Sequence, residues 1–219
     1  MSEAFFKDLE RMDTLPEREC FGVSVLYAGD CQSTMEDLLC PKSISTDFFE
    51  FLQSVGQSVE LKDHVGYHGV LNPSNCNTVP YFASRNVEIL FNTPYIMKEQ
   101  SLEGKDSDKL PIASEILFKQ RKELFLASTY ENHATVIWVE NLIAVENLVK
   151  YVVSEVAPST TVAIIIHPHS SISGMYNIRL LNSLGIIEDN LSIGPLNDGM
   201  CISKIALGVL TTDCQKAYD

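Results

Sequence analysis

Residues 134–166 read ATVIWVENLIAVENLVKYVVSEVAPSTTVAIII. Ala134–Val139 is a short apolar run that predicts a strand. Val145–Val156 predicts a helix, ended by Pro158. Thr161–Ile166 predicts a second strand. It contains the longest apolar run of the chain, Val162–Ile166, which suits burial on both faces. Strand, helix and strand in that order argue for an α/β layer fold.

Working outward, the pattern repeats. Upstream, Pro111–Ala127 predicts a helix with proline in its first turn. Downstream, Met175–Leu181 alternates Tyr176, Ile178 and Leu180, so it predicts a strand. Leu191 and Ile193 fit a short strand, and Met200–Leu210 predicts a final helix. In the first half, residues 1–12 read as a helix capped by Ser2, with Glu3 in its first turn. Phe21–Tyr27 predicts a strand. Ser43–Val55 predicts a helix with Phe48, Phe49, Phe51, Leu52 and Val55 mostly on one face, stopped by Gly56. A short strand is expected next, around Val59 and Leu61. Val79–Phe82 and Val87–Phe91 predict two strands joined by the turn at residues 84–86. Residues 98–110, KEQSLEGKDSDKL, are the best linker in the chain. They divide it into an N-terminal part, 1–105, and a C-terminal part, 106–219.

Composition limits what the chain does. Of 219 residues, 45% are apolar and 21% charged, which is globular usage. A formal charge of −13 speaks against a basic nucleic-acid footprint or a polybasic membrane patch. No run reaches the 18 apolar residues of a membrane span. The N-terminus, MSEAFFKDLE, has no apolar core of a secretory signal. Six cysteines occur without a CxxC pair. They read as reduced, small hydrophobes, which points to a cytoplasmic location.

The chemistry-bearing residues are few. His64 and His68 are four apart but enclose Gly66 and lack a third ligand. His167 and His169 flank Pro168 at a strand end, where open α/β sheets place their sites. There is no P-loop, no GxGxxG and no GxSxG. The GPLNDG stretch at 194–199 reads as a turn that re-aims the chain, or as backbone N–H groups shown to a partner. No self-contained active site and no cofactor of its own emerge, which points to a protein-binding role. The aromatic helix around Phe48, Phe49 and Phe51 and the strands from Val79 to Phe91 are the candidate contact surface; the favoured reading is that they form the chain's own core.

Three ordered stretches carry a resemblance. They are FGVSVLYAGDCQSTMEDLL at 21–39 with FFEFLQSVGQSVELKDHVGYHGVLN at 48–72, TVPYFASRNVEILFNTPYIM at 78–97, and GMYNIRLL at 174–181 with GPLNDGMCISKIALGVL at 194–210. Together they resemble the Rap/Ral GTPase-activating protein domain, shared with tuberin. The third stretch, with IWVENLIAVENL at 137–148, is most similar to the non-catalytic beta subunit of the Ral GTPase-activating complex. The resemblance implies an N-terminal dimerisation-type α+β subdomain followed by a G-domain-like mixed-sheet subdomain. It implies a Ras-like small GTPase of the Ral or Rap class as partner. It also implies a catalytic subunit, or a second copy, held through the N-terminal subdomain.

Members of that family resemble one another in using an asparagine in place of an arginine finger. A carboxamide both donates and accepts, so it can orient the attacking water in trans. Aligned back from the apolar run, Asn132 falls on that position. Its surroundings depart from the family pattern. Ser128 and Thr129 stand where a basic residue and a histidine are usual, Glu131 where a glycine is, and His133 where an aspartate is. Thr212 replaces a late basic residue. Arg121 and Lys122 are the only nearby cations. The resemblance therefore implies a regulatory, non-catalytic subunit. The alternatives are an activator using Asn132 and an adaptor with no GTPase link. The sequence also stops sooner than family domains usually do.

Overall fold

The computed structural model describes residues 18–29, 34–41, 43–69, 71, 78–95, 118–119, 121–123, 132–141, 162–182, 192–193 and 195–207. The helices expected over residues 1–12 and 145–156 and the linker at 98–110 lie outside these residues.

Ten strands and two helices are defined among the described residues. They are β1 (Glu19–Ala28), α1 (Met35–Leu39), α2 (Thr46–Val55), β2 (Gln57–Glu60), β3 (Thr78–Ala83), β4 (Val87–Asn92), β5 (Asn132–Val139), β6 (Val162–Pro168), β7 (Met175–Asn182), β8 (Ser192–Ile193), β9 (Leu196–Asn197) and β10 (Cys201–Ser203). Residues 118–119, 121–123 and 204–207 are also helical. Eight strands form one sheet in the order β10-β7-β6-β5-β1-β4-β3-β2. The four central strands are parallel: β1 pairs with β4 on one side and β5 on the other, and β5 with β6. The flanking pairs β6–β7, β7–β10, β3–β4 and β2–β3 are antiparallel. This is a mixed α/β sheet, as the layer pattern implied.

The central strands are buried on both faces, which is why they read as continuous apolar runs. On one face Val23, Val25, Tyr27, Val136, Trp138, Ile164 and Ile166 pack against Phe48, Phe51, Leu52 and Val55 of α2. On the other, Leu26, Ala28, Ile137, Val139, Ala163 and Ile165 meet Leu38 and Leu39 of α1. Each such large side chain, fully buried, stabilises by about 1.5–3 kcal/mol.

Local chemistry sets the ends of the helices. Ser45 caps α2 by accepting from Phe48 N at 3.2 Å. Gly56 ends it in extended backbone against β3, where a Cβ would come within 2.6 Å of the Tyr81 carbonyl oxygen. Thr34 and Asp37 form a capping box at α1.

One expectation needs correction. Met200–Leu210 does not begin as a helix, because Cys201–Ser203 pairs with β7 as an edge strand and only 204–207 are helical among the described residues. The aromatic helix and the Val79–Phe91 strands are mostly core, with Phe49 left 46% exposed. No described helix is long and apolar enough to cross a membrane.

Candidate functional site

Asn132 opens β5 at the amino end of the parallel strands, opposite Gly22 of β1. The register slips between Gly22 and Val23, since Val23 faces Ala134. His133 is therefore an extra residue in β5. Bulges of this kind bend a strand and re-aim its side chains, and they recur beside active sites. Ser128, Thr129, Glu131 and Thr212 lie outside the described residues.

The two upstream cations separate sharply. Arg121 is buried, and its Nη1 donates to the Leu39 carbonyl at the end of α1 at 3.0 Å. Its guanidinium is thus turned into the protein beside α1. Lys122 is exposed, with Nζ 5.9 Å from the Phe118 ring centroid.

Glu88 also lies toward the amino end of the parallel strands, one strand beyond β1. Its partner across the ladder is Cys20. Its carboxylate accepts from Tyr81 Oη at 2.6 Å, Arg18 Nη1 at 2.7 Å and the Tyr67 backbone N–H at 2.9 Å. The Tyr81 hydroxyl and the Arg18 guanidinium hold it ionised, with a pKa of about 2. Burial pushes the Tyr81 hydroxyl upward. Both oxygens of this carboxylate are occupied, so it anchors the β3–β4 hairpin and is not free to move protons. Sequence reading missed it; the signal was an acid inside the apolar run VEILF.

The histidines are engaged locally. His68 Nε2 donates to the His64 carbonyl at 2.6 Å. His167 Nδ1 donates to the Pro168 carbonyl at 3.1 Å, and burial lowers its pKa. His169 Nδ1 accepts from the N–H groups of Ser171 and Ile172 at 3.1 and 3.2 Å, shaping the β6–β7 loop. Among the described residues, neither pair is hydrogen-bonded to an acid or a nucleophile; the His64 ring packs 4.2 Å from that of Tyr81, with its Nε2 buried and unpartnered. Within the 194–199 stretch, residues 195–199 make β9 and a turn with Gly199 at φ +76°, and Asp198 there accepts from Leu180 N at 2.8 Å and Arg179 Nε at 3.2 Å. It re-aims the chain into β10. Cys20, Cys40 and Cys201 are free thiols.

At the carboxyl end of the sheet, two carboxylates tie α2 down. Glu140 accepts from Trp138 Nε1 at 2.9 Å and from the Ser45 hydroxyl. Asp47 accepts from Tyr176 Oη at 2.7 Å and from Lys204 Nζ at 2.6 Å. Lys204 also reaches Glu50 at 2.5 Å.

The chain belongs to the Rap/ran-GAP family, whose model matches residues 39–213. It is 24% identical to a Rap-GAP domain-containing protein of Dictyostelium discoideum over 93% of its length. It is 24% identical to the human Ral GTPase-activating protein subunit beta over 94% of its length. It is 29% identical to the human Ral GTPase-activating protein subunit alpha-1 over 46% of its length. The chain spans only 12%, 19% and 5% of those relatives. Among solved structures, the TSC2 GAP domain superposes with a TM-score of 0.58 at 15% identity, covering 91% of this chain and 94% of that one. That likeness is one of fold.

Proposed function

We propose that this chain is a regulatory, non-catalytic Rap-GAP-type subunit that supports GTP hydrolysis by a Ras-like small GTPase of the Ral or Rap class through a catalytic partner. The observation that carries this reading is the fate of the cations. Ser128 and Thr129 supply no charge, Arg121 is turned to the Leu39 carbonyl beside α1, and Glu131 adds a negative charge beside Asn132. A GTP phosphate approaching Glu131 at 4 Å would be opposed by about 4 kcal/mol at an effective dielectric of 20. The N-terminal part, residues 1–105, would hold the partner or a second copy, and the setting would be cytoplasmic.

A second reading, an activator using Asn132, draws on the bulge at Gly22, which sits at that residue. Single-turnover GTP hydrolysis by Ral and Rap separates the two. Under the regulatory reading, neither the chain nor its Asn132→Ala variant accelerates hydrolysis alone. Acceleration lost in the variant would establish the second reading instead. If the chain binds neither a Ras-like GTPase nor a catalytic subunit at micromolar concentration, an adaptor without a GTPase link remains.

A further inference from the structure

Three arginines are described with side-chain hydrogen bonds, and two of them face carboxylates. Arg18 meets Glu88 at 2.7 Å and Arg179 meets Asp198 at 3.2 Å. Arg121 is the most buried of the three, at 8% exposure, and among the described residues no carboxylate pairs with it. Its Nη1 donates to the Leu39 carbonyl at 3.0 Å, while its Nε is buried without a partner. A buried guanidinium is strongly disfavoured unless an anion and further acceptors meet it. A single neutral carbonyl supplies neither charge nor the second acceptor that the planar fork presents.

We propose that Arg121 is the receptor of an oxyanion-binding site beside the carboxyl end of α1. The fork matches a carboxylate or a phosphate bidentately, which a point-charged ammonium cannot do. Its bond to Leu39 fixes the side chain in place beforehand, so little rotamer freedom is lost on binding. Lys119 and Lys122, close to Arg121 in sequence, are exposed, so positive charge lies nearby along a chain of net charge −13. The ligand would be one small acidic group: a phosphate, or an acidic side chain offered by a partner. The site does not depend on the GTPase reading, and its test does not use GTP.

The test measures the thermal midpoint of the full chain in sodium phosphate, sodium acetate and sodium chloride at matched ionic strength. At a tenfold excess over Kd, the binding anion should raise the midpoint by about 3–6 °C over chloride. Arg121→Met keeps the apolar stem and should abolish the rise. Arg121→Lys keeps the charge without the fork and should retain only a small part of it. A rise with phosphate assigns a phosphoryl group as ligand; a rise with acetate alone assigns an acidic side chain. No rise for the unmodified chain, or an equal rise in Arg121→Met, overturns the site and leaves Arg121 as a cap for Leu39.

Discussion

The Tyr81 hydroxyl on β3 donates to the Glu88 carboxylate on β4 at 2.6 Å, within one hairpin, and the same carboxylate takes Arg18 from the start of β1. Three segments of chain therefore converge on one ionised side chain. Because its pKa of about 2 lies below the ordinary 4.5, its contribution is fully present above pH 4.5. It is lost as pH falls from there toward 2, and it amounts to about 3 kcal/mol at most. Glu88→Gln should cost about 2–3 kcal/mol at pH 7. In urea titrations, the stability of the variant should then fall less than that of the unmodified chain between pH 5 and 3.

Gly56 and Gly66 both crowd Tyr81, but differently. A Cβ at Gly56 would meet the Tyr81 backbone, with its carbonyl oxygen at 2.6 Å and its N at 2.9 Å. A Cβ at Gly66 would meet side-chain tips, Tyr81 Oη at 2.5 Å and His64 Nε2 at 2.6 Å. Overpacking costs about 1–3 kcal/mol, and rigid neighbours set the upper end. Gly56→Ala should be the more destabilising in chemical denaturation; the reverse order would contradict the close α2–β3 contact.

Trp138 is the single tryptophan of the chain and is fully buried. Its ring centroid lies 5.4 Å from that of Phe51 and 4.9 Å from that of Tyr176, bridging α2 and β7. Trp138→Ala should cost about 3–5 kcal/mol. Fluorescence of the unmodified chain should shift to longer wavelength in one transition that coincides with loss of far-ultraviolet dichroism.

Asp47 serves both Tyr176 and Lys204, and both hold its carboxyl below the usual range, the lysine first. The two bonds differ in burial. Tyr176 is 2% exposed, whereas the side chains of Asp47 and Lys204 are 51% and 30% exposed. Tyr176→Phe should cost about 1 kcal/mol. Lys204→Ala should cost less than Tyr176→Phe and depend on salt. Urea midpoints in low and high salt check both.

The strands were legible because buried parallel strands are nearly continuous apolar runs, as in Val162–Ile166 and, apart from Glu88, Val87–Phe91. The turn at 84–86 was legible from its polar residues. α1 was not read, although Thr34 and Asp37 spelled its capping box; its five residues carry too little periodicity. Cys201–Ser203 was read as helix because three residues cannot show a period, and pairing with β7 decides them. Asn132 could be placed at a strand entrance from the apolar run just after it. The bulge beside it could not, since register belongs to the partner strand Gly22. Arg121 was legible only as a nearby charge. Which way a long side chain turns is set by neighbours such as Leu39, far away in sequence.

The place of β1 governs how the chain must assemble. Its two neighbours come from sequence-distant regions, with Gly22 paired to Leu90 on one side and to Asn132 on the other. Such ladders close long loops before they are rewarded, so folding should be slow compared with hairpin-built sheets. Until residues 132–139 have left the ribosome, β1 presents a bare row of apolar-flanked N–H and C=O groups. That nascent edge is where a chaperone, or misassembly with another chain, would first take hold.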